Sequence, residues 1–291
     1  MMSTQRTAPP VSLLIKPENG SLTPGSARSL LVTILGELVW PTERPVWTSA
    51  LVYILKGLGI EEQTARQAIA RAAASDWIVP MRRGREVCWS LSPKLLQIFD
   101  SGSPRVYSLS DPFSSWDGSW LAVLTNIPHS HRNSRRPLYA GLTWAGFGNP
   151  APGLWLSPHV ERADEVAALI GELGLEQHMI GFVGTVKSLG ISESDIVAKG
   201  WDLQALSEHY EQLLAAMADL RPGGGDETLF AHVRMVSEWQ ELPRTDPQLP
   251  EALLPDWIGR RVARRIEVLR AQWTPTVRAR FDEINAGLPT T

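Results

Sequence analysis

Gly59-Ile60-Glu61-Glu62-Gln63-Thr64-Ala65-Arg66-Gln67-Ala68-Ile69-Ala70-Arg71-Ala72-Ala73-Ala74-Ser75 is followed, after Asp76, by Trp77-Ile78-Val79-Pro80-Met81-Arg82-Arg83-Gly84-Arg85-Glu86-Val87-Cys88-Trp89-Ser90-Leu91. The first segment has helical periodicity. Its acidic start, Glu61 and Glu62, suits the positive end of a helix dipole. On a wheel of about 100° per residue, Ala65, Ala68, Ile69 and Ala72 share one side. They are small, so this helix can lie close against its neighbours. Gln63, Gln67, Ala70 and Ala74 occupy the opposite side, with Arg66 and Arg71 along its edges. In the second segment Val87, Trp89 and Leu91 alternate with Glu86, Cys88 and Ser90, the signature of a half-buried strand. Together with Trp77 to Met81 this predicts two strands joined by a tight basic turn.

Upstream, Ser26 is placed to cap a helix in which Leu30, Leu31, Ile34, Leu35 and Leu38 recur at helical spacing. Trp40-Pro41 ends it. Thr48 is placed to cap a second helix with Leu51, Ile54, Leu55 and Leu58 on one face, broken by Gly57 and Gly59. Downstream, Ser92-Pro93 sets a capping serine before a proline at the first helical position. Three helices, a ribbon and a helix is the order of a winged helix–turn–helix, over residues 26–100. Residues 1–25, with Pro9, Pro10, Pro17, Pro24, Gly20 and Gly25, predict a mobile tail.

The polar face of the third helix suits a major groove. Gln63, Thr64 and Gln67 can reach base edges, and Arg66 and Arg71 can reach phosphates or guanines. Taken alone, that face also fits an ordinary solvated helix. A hairpin tip carrying Arg82, Arg83 and Arg85 gains nothing from folding, whereas a wing on a phosphate backbone needs that charge. The two features in this order favour double-stranded DNA.

Residues 100–118, rich in Ser, Pro, Gly and Asp, predict a linker. A middle domain over 113–190 reads strand (Trp120 to Ile127), helix (ending near Gly146), strand (Gly153 to Ser157), helix (Ala163 to Leu173) and strand (Met179 to Val186), a small α/β sandwich of ferredoxin-like type. Pro137 is tolerated only near a helix start, so the first of these helices is expected to begin near Ser134 with 128–134 as a loop. A helical C-terminal domain follows over 200–285, with helices near 203–220, 227–242 and 256–273 and a glycine loop at 223–225. In the last helix Ile258, Val262, Ile266 and Leu269 make an apolar stripe suited to a dimer surface. The fold class is α+β and multidomain.

The bulk properties fit this. A chain of 291 residues suits two or three domains. Its formal charge of −3 excludes a protein basic throughout, but DNA binding needs only a local basic face. One cysteine, Cys88, excludes an internal disulfide and any zinc site built on several thiolates, and suits a reducing cytoplasm. The longest apolar run, Leu30 to Trp40, contains Glu37 and is too short to span a bilayer. No secretory signal is evident.

Ser29-Leu30, Gly36, Gly59-Ile60, Ala65-Arg66-Gln67-Ala68 and Trp77 carry a resemblance to the PaaX family of phenylacetate-catabolism repressors. It is carried further by Trp116-Asp117-Gly118-Ser119-Trp120, by Gly146 to Pro158, and by Asp246-Pro247-Gln248-Leu249-Pro250-Glu251-Ala252-Leu253-Leu254-Pro255-Asp256-Trp257. It extends over about residues 26–275 and implies a homodimer, a palindromic operator, and release from DNA by an aryl-acyl-CoA such as phenylacetyl-CoA. No cofactor is expected. Arg132, Arg135 and Arg136 sit at a helix start, where free N–H groups and the dipole favour anions such as coenzyme A phosphates; a solvated charge cluster is the other reading. The aromatic end of such an effector would enter an apolar cleft near Trp120, Phe147 or Trp155, unless these tryptophans are plain core.

Two other classes compete. A metal-dependent nuclease on the middle domain would want an aspartate at the end of its first strand. The stretch reads Leu124-Thr125-Asn126-Ile127, and asparagine is a poor metal carboxylate. His129 and His131 lack a neighbouring carboxylate or thiol. No phosphate-binding loop or nucleophile elbow occurs, so an enzyme is not expected. A protein-interaction module could use the proline-rich Pro243 to Trp257, which also suits a rigid connector packed on the middle domain.

Overall fold

The computed structural model describes residues 25–83, 86–107, 116–240 and 242–287. Ser26 caps α1 (Ala27–Ile34), its hydroxyl accepting the Ser29 N–H at 3.2 Å, and a π-helical turn continues to Val39. Then come β1 (Val46–Trp47), α2 (Thr48–Gly57), α3 (Glu62–Ala74), β2 (Ile78–Arg83), β3 (Glu86–Leu91) and α4 (Pro93–Tyr107). The middle of the chain forms β4 (Ser119–Thr125), α5 (Arg132–Trp144), β5 (Gly148–Ala151), β6 (Leu154–Ser157), α6 (Ala163–Glu172) and β7 (Met179–Thr185). Helices follow: α7 (Glu193–Gly200), α8 (Leu203–Ala218), α9 (Gly225–Trp239), the short α10 (Leu242–Thr245) and α11 (Ile258–Gly287). The chain is α+β, with two small antiparallel sheets. Its contacts divide it into two compact units, and the boundary falls inside α4, α8 and α11. The helical residues after 200 are therefore shared between the units.

The first unit takes the described residues up to 104, 213–240 and 263–287. Its sheet has the order β1-β3-β2. Thr48 does not cap α2. It is the first helical residue, and its hydroxyl donates to the Val87 carbonyl (2.9 Å) and accepts from the Trp89 indole (2.9 Å), tying α2 to β3. The two glycines after α2 differ in purpose. A Cβ on Gly57 would run into the ring of Phe230 in α9, and Gly59 turns the chain at φ +91. Around this assembly α1 and α9 share buried contacts, such as Ser29 with Ser237 (3.2 Å). Glu37, in the π-helical turn, accepts from Arg270 at 2.9 Å and pairs with buried His232 at 2.9 Å. Near the end of α11, Asn285 accepts the Trp47 N–H and donates to the Pro45 carbonyl, bracing the entry to α2.

Three expectations fail here for physical reasons. The linker expected from residue 100 is helix to Tyr107: buried Leu95 anchors the first turn, and extending a formed helix costs far less than starting one. The last helix does not end at Trp273. It runs through Pro275 because Val277, Phe281 and Ile284 continue the buried stripe. In that same stripe Val262, Ile266 and Leu269 are buried within the chain itself, so they are not a free dimer surface. The tail at 1–24, like Gly84 and Arg85, lies outside the described residues.

The second unit takes the described residues 105–107, 116–212 and 242–262. Its sheet has the order β5-β6-β4-β7. On one face Leu138 and Leu142 of α5 and Val166 and Leu169 of α6 pack over Leu121, Val123 and Trp155. On the other, Trp120, Ala122, Leu156 and Ile196 form a smaller cluster with Trp201 and Leu253 against it. Helix α5 begins at Arg132, two residues before the expected start, and keeps Pro137 inside it. The proline forfeits one early hydrogen bond, which the burial of Leu138 and Leu142 outweighs. β5 and α7 escaped the sequence reading. β5 is Gly-Asn-Pro-Ala, a poor strand composition held by its hairpin with β6.

Asp246 is the polar centre of this unit. It is 1% exposed and accepts from the Tyr210 hydroxyl (2.9 Å), the Trp257 indole (2.7 Å) and the Gln248 N–H (2.6 Å). Arg260 donates to the Leu249 and Leu254 carbonyls. Pro243 to Trp257 is thus a fixed connector inside this unit.

Candidate nucleic-acid interface

Helix α3 buries Ala65, Ala68, Ile69 and Ala72, the four residues of the expected inner face. Gln63, Thr64, Arg66, Gln67 and Arg71 are all exposed. The small buried face lets α3 approach α1 and α2 closely, so the polar face stands at the surface. Its far end is clamped to the ribbon. Ser92 donates to the Asp76 carbonyl (2.6 Å) and accepts the Leu95 N–H (3.1 Å), and Lys94 reaches the Ser75 carbonyl (3.1 Å). The ribbon follows directly, with Ile78 opposite Leu91 and Arg83 opposite Glu86. Arg82 and Arg83 lie in β2; Arg85 lies outside the described residues. The Arg28 guanidinium sits over the Trp77 ring at 4.6 Å.

Arg66 carries a partner that the sequence reading missed. Its Nε and Nη2 both donate to Glu62 Oε1, at 3.1 and 2.9 Å, and Lys56 of α2 donates to Glu62 Oε2 at 3.3 Å. These donors hold the Glu62 carboxyl below the usual carboxylate range. The signal was present as the four-residue spacing of Glu62 and Arg66. An acidic first turn accounts for Glu62 without naming that partner.

The second unit holds the other candidate residues. Arg132, Arg135 and Arg136 lie in the first turns of α5 and are exposed. Arg135 is engaged, donating to the Ile127 carbonyl at 3.0 Å. His131 meets His178, not His129, at 5.1 Å between ring centroids. No group of three or more His, Cys, Asp or Glu side chains among the described residues is placed to hold a metal ion. Trp120 and Phe147 are buried core. Trp155 is 6% exposed and packs against Tyr139 at 4.9 Å. The open apolar space lies elsewhere: a cleft of about 430 Å³ between α6 and the β4–β7 pair, lined by residues including Leu121, Val166, Ile170, Met179 and Val183, with Glu176 beside them.

Three family models match the chain in succession: a PaaX-like protein model over residues 26–95, the PaaX protein central Cas2-like domain over 114–196, and the PaaX-like protein C-terminal domain over 201–282. The chain is 29% identical over 248 residues to the transcriptional repressor PaaX of Escherichia coli (strain K12), covering 81% of this chain and 77% of that one. Its fold is similar to that of an uncharacterized Mycobacterium tuberculosis protein, Rv0674, with a TM-score of 0.60 and 22% identity over 91% of this chain and 99% of that one. Among the described residues, no helix is long and apolar enough to cross a membrane.

Proposed function

The chain belongs to the PaaX family, and on that footing we propose that it is a DNA-binding transcription regulator, a repressor released from a palindromic operator by an aryl-acyl-CoA. The observation that carries this reading is α3, which buries a face of alanines and turns Gln63, Thr64, Arg66, Gln67 and Arg71 to solvent beside an antiparallel ribbon. Three helices and that ribbon have the order of a winged helix–turn–helix, with α3 as the reading helix and Arg82, Arg83 and Arg85 as the wing. The βαββαβ succession of the second unit supports a ferredoxin-like domain. In this reading residues 26–100 contact the operator, 113–190 pair the subunits and take the ligand, and 200–285 brace both. The related repressor is not an enzyme, and the protein works in the cytoplasm without a cofactor.

One such helix reads too few bases for a genome, so two copies present two helices about 34 Å apart or a multiple of it. With the α11 stripe buried, the dimer contact moves to β7, an edge strand of its sheet. Ile180 and Phe182 are 66% and 52% exposed there, beside Leu124 of β4 at 42%. An edge strand can pair antiparallel with its own copy across a two-fold axis and cover such a patch. Light scattering is expected to show a dimer for the full chain and a monomer for Phe182→Glu. A wild-type monomer at micromolar concentration, free and on DNA, would exclude this.

The effector must bind the DNA-incompetent conformation better than the competent one, by about 5 kcal/mol for a nearly complete switch. Its aromatic end fits the cleft beside α6, or the Trp155 side of α5 if Tyr139 swings away. Its phosphates fit Arg132 and Arg136, while Arg135 keeps its bond to Ile127. A gel-shift titration with phenylacetyl-CoA, coenzyme A and phenylacetate tests this. The thioester alone is expected to release wild-type protein, and Arg132→Ala/Arg136→Ala should need at least tenfold more of it. Release at an unchanged concentration places the phosphate site elsewhere, and no release by any acyl-CoA assigns the protein a different signal.

A further inference from the structure

A carboxylate beside a DNA-reading arginine needs a reason. Glu62 stands one helical turn before Arg66 on the exposed side of α3, where nearby phosphates would repel it. A carboxylate in that place persists only if it has donors of its own. Glu62 has them: Arg66 donates twice to Oε1 and Lys56 once to Oε2.

The geometry of that pairing is specific. Nε and one side of Nη2 face Glu62, so the guanidinium plane is fixed relative to the helix. The far edge of the fork, Nη1 and the outer hydrogen of Nη2, points away from the carboxylate. That edge presents the parallel donors that match O6 and N7 of guanine. An unbuttressed arginine on this edge of the helix could swing to a phosphate, trading sequence information for charge neutralisation. One held from behind loses less rotamer freedom when it meets a base. Lys56, from the preceding helix, holds the other carboxylate oxygen at 3.3 Å and opposes its following Arg66 if the guanidinium moves.

Resting on the DNA-binding reading above, we infer that Glu62 is a positioning residue that holds Arg66 for the end-on reading of one guanine in the operator. Glu62 is a specificity determinant without touching the base. Its removal redistributes binding rather than weakening it. One G·C pair loses its advantage, while unrelated duplexes gain, because a negative charge has left the groove wall.

The test uses the full chain. Selection from a randomised duplex library defines the preferred site, and titrations at one salt concentration compare it with single-pair variants. Arg66→Ala is expected to reduce discrimination at one G·C pair by about tenfold. Glu62→Ala should lose preference at that same pair, while binding unrelated duplexes as tightly as wild type or more so. Glu62→Gln, which keeps an acceptor oxygen, should retain part of it. In the Arg66→Ala background, Glu62→Ala should cost nothing further at that pair. Both side chains are about half exposed (48% and 58%), so the variants should melt with wild type. If Glu62→Ala leaves the ranking of sites unchanged, or if the two losses multiply or fall at different pairs, the buttress is excluded. A wild-type chain with no sequence preference would overturn the DNA-reading function itself, and with it any role for Glu62 in it.

Discussion

Replacing Asp246 by alanine is expected to lower the melting temperature of the unit that contains it by about 10 °C, from a loss of about 3–5 kcal/mol. The size follows from what is left behind. The Tyr210 hydroxyl, the Trp257 indole and the Gln248 N–H all donate to this carboxyl, and all three would face a cavity without an acceptor. Unsatisfied buried donors each cost about 1–3 kcal/mol. Arg260, itself buried, would also lose the attraction of that carboxylate. Asparagine rescues only part of this, because its amide would turn a donor toward either Gln248 or the Tyr210–Trp257 pair.

Burial pushes the Asp246 carboxyl above its ordinary range, against the pull of its three donors and Arg260. A carboxyl raised in the folded state binds a proton more tightly there than in the unfolded chain. Its contribution to stability is whole below the unfolded value of about 4, and declines as pH rises through the folded one. The gap between wild type and Asp246→Ala should therefore narrow as pH rises through that window. Thermal denaturation followed by tryptophan fluorescence at several pH values reads both effects. Melting within a degree of wild type would show that the Asp246 bonds hold nothing in place.

Local periodicity made much of this chain legible. The inner face of α3 could be read from four small residues at helical spacing, because burial of one side of a helix leaves a period in the sequence. Ser26 and Ser92 declared helix starts because a capping hydroxyl acts within three residues. Thr48 has the same composition signal and a different task, since its partners, Val87 and Trp89, lie some forty residues away. Long-range partners leave no local mark, and Tyr210, 36 residues from Asp246, is another of these, although the other two donors to Asp246 lie in its own proline-rich loop. β1 and β5 were missed because two residues carry no period, and Gly-Asn-Pro-Ala carries the wrong one. Composition misled at residues 101–107, where a helix already formed at Leu95 runs on, and at Pro137 and Pro275, where packing on one side outweighed a poor helix former. In the candidate interface, the residue types and exposure of α3 were legible. The hold of Glu62 on Arg66 was written in a four-residue spacing that the sequence reading passed over.

Replacing Arg82, Arg83 and Arg85 together by alanine is expected to weaken binding to every duplex, specific or not, and to flatten its salt dependence. Each phosphate neutralised by a wing arginine releases condensed counterions, contributing about 0.9 to the slope of log affinity against log salt. Three such contacts give a slope change of about 2.7. Between 50 and 200 mM salt, the wild type should then lose about 40-fold more affinity than the triple variant. The ranking of sequences should survive, because phosphate contacts set register without reading bases. Arg71→Ala and Arg66→Ala define the contrast. An arginine that reaches a guanine costs about 1–3 kcal/mol at the preferred site and little elsewhere. Titrations of both kinds of variant on preferred and random duplexes, at four or more salt concentrations, separate the two. An unchanged slope in the triple variant would remove the wing from the DNA. A loss confined to the preferred site would move those arginines from the backbone to the bases, where the ribbon and not α3 would carry part of the sequence reading.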